Sequence, residues 1–450
     1  MSRIHNAFEK IKNSTFFVSV FKVGSGQLIA QIFSLISVPI LSRIYADVAY
    51  GDTALITSTA AILNSFCIFG LTSAIMKPED DEEAKRVFTT ASITQLVVCS
   101  FFTVIYAVLS GKTRLFEISG SYGLALLLMW MYCVLLNTKS LMLVYANRKQ
   151  KYNRIFFNPI IGSITNIVVA IPLGLFGFGF EGFMITSIVQ DLAICIHLMW
   201  GDVPFSKQYR LRDFVHVYVE YREYVLFQYP SGFVNNLGIE YPTQYFGRTF
   251  TSQELGSYSM CERVLKLPLR LIAAPISTVY FRTASEYHRE GKNLADFTYQ
   301  MVSRILLISV LPVAIFMFIG EPLFVFVLGE KWREAGSLAT FLIIQYVLMF
   351  CSQTTSYCRV SIGRQRTNLV VSVVRLAITV VSCLAGYAVF RTMQGTVVFF
   401  SFGQCVYHIL DLAANFYSMD KCYMRKFLVA SVSYSVLMFF ILIVRIILFS

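Results

Sequence analysis

Charge is what this sequence has least of. Asp, Glu, Lys and Arg make up 14% of its 450 residues, against about 25% in soluble globular chains. So few charges cannot clothe a soluble surface, which excludes a soluble enzyme even though the length alone would suggest about three domains. Cysteine occurs ten times but never as C-x-x-C, and no His stands at zinc-like spacing from one. The thiols therefore read as buried small apolar residues, with no metal site and no cofactor expected. No G-x-x-x-x-G-K-[ST] is present, so the chain carries no P-loop ATPase. Apolar-polar alternation in strand-sized pieces is missing too, which argues against an outer-membrane barrel. A signal peptide is not expected: the opening residues are polar and the run after them is too long for one.

Apolar residues, by contrast, make up 56%, with 40 Phe and 25 Tyr, far too much apolar surface to remain disordered. They gather in runs of roughly 20, the length that crosses a bilayer core of about 30 Å. Twelve runs lie near 17–42, 50–75, 87–109, 121–146, 156–176, 181–200, 225–248, 254–281, 300–320, 337–360, 369–389 and 395–417, and a thirteenth at 428–449. The fold class is an all-α polytopic membrane protein.

Sorting the 38 Lys and Arg by loop gives the orientation. With the N-terminus cytoplasmic, 22 fall on the cytoplasmic side, among them Arg148, Lys149, Lys151, Arg154, Lys421, Arg425 and Lys426. Seven fall outside: Arg43, Lys112, Arg114, Arg248, Lys331, Arg333 and Arg391. That bias is the positive-inside pattern, so the net charge of +12 reflects topology. It is not a nucleic-acid footprint, because no aromatic stacking motif accompanies it.

The chain also repeats itself faintly. Ser25-Gly26, Pro39, Arg43 and Gly51 in and after the first run answer Ser231-Gly232, Pro242, Arg248 and Gly256 in and after the seventh. Lys149-Gln150-Lys151-Tyr152-Asn153 aligns with Arg364-Gln365-Arg366-Thr367-Asn368, and Glu181-Gly182 with Gln394-Gly395. Ser187/Gln190 and Ser401/Gln404 follow that last pair at equal spacing. The organisation expected is two six-helix lobes in parallel pseudo-repeat around a central cavity. They cover 1–200 and 225–417, joined by a cytoplasmic linker at 201–224, with 418–450 a separate, peripheral hydrophobic segment.

Charged side chains inside a bilayer cost roughly 2.5–3.5 kcal/mol each and so tend to face a protein cavity. The eighth run holds the densest set: Arg263, Lys266 and Arg270 lie three and four apart, on one helical face. Glu262 and, on the seventh run, Glu240 are candidate counter-charges. A later helix start, near residue 265, would instead leave Arg263 at the interface. Lys22, Arg304 and Arg359 sit near run ends and can snorkel to headgroups, whereas Lys139 and Arg375 lie about two turns in and are cavity candidates. Gln404, His408 and Asp411 share a face of the twelfth run, where His and Asp could relay a proton, hold Na⁺ or simply clasp helices. Gln190, Asp191 and His197 leave the same alternatives open, and the amides Gln27, Gln31, Asn235 and Asn236 suit sugar hydroxyls or interhelical bonds. Gly177-Phe178-Gly179-Phe180-Glu181-Gly182 fits G-x-G-x-x-G but follows no strand, so it is a turn. The acidic segment around 77–86 reads as a solvated helix start.

Several short stretches resemble Wzx-type O-antigen and capsular polysaccharide flippases, members of the multidrug/oligosaccharidyl-lipid/polysaccharide exporter superfamily. They are Pro39-Ile40-Leu41-Ser42-Arg43 with Tyr50-Gly51, Pro230 to Gly256, Leu267-Pro268 to Ser285-Glu286, and Leu328-Gly329-Glu330-Lys331-Trp332-Arg333-Glu334-Ala335-Gly336. The resemblance extends over residues 10–420. It implies alternating access and transfer of undecaprenyl-pyrophosphate-linked oligosaccharide between the leaflets of a bacterial inner membrane. It also implies that Arg263, Lys266 and Arg270 engage pyrophosphate or acidic sugars. Coupling to H⁺ or Na⁺ through Glu240, His408 or Asp411 is compatible with it, as are a polysaccharide polymerase and a chain-length regulator as partners. A cation-coupled multidrug exporter of the same superfamily is the alternative, though embedded cations outnumber embedded acids. A polymerase or ligase would need a larger outward loop than 321–336.

Overall fold

The computed structural model describes residues 15–67, 70–113, 121–222, 229–356, 358–361 and 367–449. Arg114 and the Arg364-Gln365-Arg366 stretch lie outside these residues, as do the side chains of Lys22 and Lys112. Among the described residues all regular structure is helical. The first half of the chain forms α1 (Thr15–Ile44), α2 (Asp47–Cys67), α3 (Leu71–Ala74), α4 (Asp81–Thr113), α5 (Tyr122–Arg148), α6 (Tyr152–Leu175) and α7 (Phe180–Met199). After α8 (Leu211–Glu220) come α9 (Tyr229–Thr249), α10 (Ser252–Pro268), a π-helical turn at Leu269–Ala273, α11 (Ala274–Arg289) and α12 (Leu294–Leu328). The chain ends with α13 (Arg333–Thr354), α14 (Cys358–Ser361), α15 (Thr367–Phe390), α16 (Met393–Met419) and α17 (Lys421–Phe449).

Ten helices among the described residues are long and apolar enough to cross a membrane. α2, α9 and α10 are the helices of the second, seventh and eighth runs but do not qualify. The sequence explains the shortfall: α9 alone carries Asn235, Asn236, Glu240, Gln244 and Arg248, and α10 carries Glu254, Glu262, Arg263 and Lys266.

The chain divides into two compact units: Met1–Tyr45 with Ile56–Phe233, and Ala46–Leu55 with Val234–Ser450. In the first, α1 lies so close to α6 that a Cβ at Gly26 would stand 2.3 Å from the Phe156 carbonyl oxygen. Tyr45, at the end of α1, donates to the Ala170 carbonyl at 2.8 Å and stacks on Phe183 with centroids 4.0 Å apart. Gly174 and Gly182 leave room for its ring. α8 lies against α4: Tyr209 and Tyr218 pair with Thr90 and Thr94 at 3.0 and 2.8 Å, and Tyr221 donates to Glu83 at 2.7 Å.

In the second unit, the first turns of α2 and α10 touch backbone to backbone. A Cβ at Gly51 would lie 1.9 Å from the Ser252 carbonyl oxygen, and one at Gly256 would lie 2.1 Å from that of Asp47. These are the two glycines that the repeat aligns. The Leu328–Gly336 motif is structural: Gly329 holds φ at +108°, a left-handed value that glycine alone adopts without strain. Trp332 is fully buried, and a Cβ at Gly336 would sit 2.8 Å from Cα of Glu321.

The thirteenth run is the helix α17, which runs parallel to α12 over its whole length. Three contacts advance together along both helices: Tyr423 donates to Asp296 at 3.1 Å, Ser309 donates to Tyr434 at 3.1 Å, and Arg445 pairs with Glu321 at 3.5 Å. From Tyr423 to Arg445 is roughly 33 Å at about 1.5 Å per residue, enough to match a hydrocarbon core of about 30 Å.

Candidate functional site

The cationic side chains of the eighth run are placed by the helix start. Thr251 caps α10: the Glu254 backbone N–H donates to Thr251 Oγ1 at 3.2 Å, and the Thr251 N–H donates to the Glu254 carboxylate at 3.0 Å. This capping box fixes the first turn at Ser252, so Arg263 lies about three turns inside the helix and not at its mouth. Arg263 and Lys266 then share a face with Glu262 at its edge. Pro268 and Pro275 both lack an N–H to donate, and between them the helix widens to the π turn that carries Arg270. Arg270 is exposed, while Arg263 and Lys266 are half-buried.

Glu262 is the hub. It accepts from Lys266 Nζ at 2.8 Å, and from the hydroxyls of Tyr258 and Tyr346 at 3.2 and 3.1 Å. Both tyrosines are buried. The Arg263 guanidinium lies 5.2 Å from the ring centre of Tyr50, which meets Trp332 edge-on at 5.0 Å. Arg263, Lys266 and Arg270 thus bring three cations to the stretch that carries Glu262. Guanidinium groups are suited to gripping phosphate oxygens two at a time.

The other candidates are dispersed. Arg375 on α15 donates to Asn235 at 3.3 Å and lies over Tyr407 at 5.3 Å. Gly238 permits this, since a Cβ there would be 3.3 Å from the arginine Cγ. Lys139 on α5 is bound to Asp191 on α7 at 2.6 Å, within the first unit. Glu240 is half-buried on α9. His408 is buried beside Tyr407, and its Nδ1 has no hydrogen-bond partner among the described residues.

Asp411 is not paired with His408. Its Oδ1 accepts from Arg359 at 2.8 Å and its Oδ2 from Ser352, while Arg359 Nε donates to Asn368 at 2.8 Å. Arg359 therefore does not snorkel: it is 8% exposed and turned inward onto a carboxylate. Gln404 acts as a clasp, donating to Thr379 on α15 at 2.9 Å, and Gln190 accepts from Asn166 at 3.3 Å. Sequence reasoning missed Tyr50, Tyr258 and Tyr346. Tyr258 stood one turn before Glu262 and could have been found; Tyr346 is 84 residues away and could not.

The family described as polysaccharide biosynthesis protein matches residues 40–337. No curated protein matches the chain. Among solved structures, the lipid II flippase MurJ in an inward closed conformation is 13% identical with a TM-score of 0.66, covering 96% of this chain and 97% of its own. An inward-facing multidrug resistance MATE family transporter of the MOP superfamily is 18% identical with a TM-score of 0.58, covering 90% and 99%. An outward-facing MATE transporter gives 16%, 0.55, 92% and 96%. At such identities the likeness is one of fold.

Proposed function

The chain belongs to the polysaccharide biosynthesis protein family, and from that membership we propose that it is a flippase rather than an enzyme. Its substrate in this reading is an undecaprenyl-pyrophosphate-linked oligosaccharide, moved from the cytoplasmic to the periplasmic leaflet of a bacterial inner membrane by alternating access. The product would feed assembly of O-antigen, capsule or exopolysaccharide, with a polymerase and a chain-length regulator acting next. The observation that carries the reading is the cationic group on α10 and its π turn. Arg263 and Arg270 are the phosphate-gripping side chains, and Lys266, held by Glu262, sets the field around them. Arg375, over Tyr407, would meet the sugars. Only the polar headgroup then needs to cross, while the polyprenyl tail stays in lipid.

The orientation proposed is N-terminus cytoplasmic, from the loop charges. Coupling to H⁺ or Na⁺ would involve Glu240, His408 or Asp411, the last of them held in an ion pair by Arg359.

The test uses cells lacking the protein and follows labelled polyprenyl-linked oligosaccharide by leaflet. Build-up on the cytoplasmic side, relieved by the wild type but not by a stably folded Lys266→Glu/Arg270→Glu variant, is the expected result. Relief by the double variant would remove the cationic group from the mechanism. Normal delivery without the protein would overturn the lipid-linked substrate and put the multidrug exporter first.

A further inference from the structure

Cys67 on α2, Cys99 on α4 and Cys133 on α5 bring their sulfur atoms together inside the first unit, all within 4.8 Å of one another. All three residues are fully buried in the apolar core. Nothing in the transport reading uses them. We propose that this trio is a binding site for a soft monovalent d¹⁰ cation, copper(I) being the natural ion of that type.

The donor set decides the class. Three sulfurs with no carboxylate among them select thiophilic ions over Mg²⁺, Ca²⁺ or Mn²⁺. Metal–sulfur bonds of about 2.3 Å in a trigonal plane place sulfurs about 4 Å apart. A triangle with 4.8 Å sides therefore closes onto an ion if each sulfur moves by no more than about 0.5 Å, which is within reach of a χ1 adjustment. Zinc would ask for a fourth strong ligand. Charge points the same way, because buried apolar surroundings disfavour a net charge. A monovalent ion that displaces one thiol proton leaves one thiolate, two thiols and a neutral site.

The surroundings add a second observation. One helical turn from Cys67 and from Cys133, on the same helices, stand buried amide oxygens without a hydrogen-bond partner among the described residues: Asn64 Oδ1 and Asn137 Oδ1. Asn137 is itself fully buried, and its amide nitrogen lies 4.0 Å from Cys133 Sγ.

The experiment uses the full-length chain, purified in detergent under reducing conditions. It carries Cys422→Ser, which removes the one exposed cysteine. Copper(I) is added and then competed with a chromophoric copper(I) chelator. The site predicts one ion retained per chain, and X-ray absorption showing three sulfur neighbours. Cys67→Ser, Cys99→Ser and Cys133→Ser should each weaken retention at least tenfold. No retained copper in the Cys422→Ser protein, or equal retention after any trio substitution, overturns the site. If the serine variants fail to fold, the absorption spectrum of the Cys422→Ser protein decides alone, and fewer than three sulfurs overturns it.

Discussion

Asp411 offers the sharpest separation of a structural role from a transport role. Its carboxylate and the Arg359 guanidinium are 2.8 Å apart, and each side chain is 9% exposed. Two unit charges at that distance attract by about 6 kcal/mol at an effective dielectric of about 20, and the cost of desolvating both offsets much of this. Removing one partner leaves the other buried and unpaired, which costs about 3–5 kcal/mol. Asp411→Asn keeps the shape and a group for Ser352 but strands Arg359. It should lower the thermal unfolding midpoint of the detergent-purified protein markedly. Asp411→Asn combined with Arg359→Gln removes both charges and should recover most of the loss, to within about 1–2 kcal/mol. If the pair is a clasp, this neutral double variant also moves lipid-linked oligosaccharide at a near-normal rate. An unchanged midpoint in the single variant, or a double variant no better than it, refutes the ion-pair account. A double variant that folds but cannot transport would return Asp411 to the coupling step.

Gly51→Ala and Gly256→Ala should each destabilise the protein by about 1–3 kcal/mol, since each forces α2 and α10 apart. The double variant should cost little more than either single one, because one separation relieves both clashes; simple addition in thermal midpoints would contradict this. Tyr45→Phe, which removes the hydroxyl's bond to the Ala170 carbonyl, should cost about 1 kcal/mol; an unchanged midpoint would show that the hydroxyl is dispensable. A topology reporter fused after Ser450 should give the same signal as one inserted at Gly329, where α12 ends, and the opposite signal to one inserted at Lys292, just before α12 begins. Agreement with the Lys292 insertion would mean that α17 does not cross.

Most of the helices were legible because a run of about 20 apolar residues has few other fates. The start of α10 was written in Thr251-x-x-Glu254, and the position of Arg263 follows from it. Partners were not legible. Periodicity shows which residues share a face, but the group opposite that face comes from a helix far away in sequence. His408 and Asp411 do share a face of α16, yet the charge that meets Asp411 comes from Arg359 beyond the end of α13. Lys139 was read as a cavity candidate and Asp191 separately as a relay, ion site or clasp, although each is the other's counter-ion. The π turn was hidden for a different reason. Its sequence is helical in pattern, and the only break in it is the pair of prolines, Pro268 and Pro275, that flank the turn and lack an N–H.

The contact between α2 and α10 has the form of a homodimer interface inside a single chain. Gly51 faces the carbonyl of Ser252, and Gly256 faces the carbonyl of Asp47; these are positions related by one shift of the sequence. In a two-fold dimer, patch i meets j and j meets i, and here the same reciprocity is covalently fused. Because the atoms in contact are backbone oxygens, the contact constrains the two glycines and leaves the side chains at 47 and 252 free to differ, as Asp47 and Ser252 do. A pairing of this kind carries its symmetry in the main chain, where the letters of the sequence hardly show it.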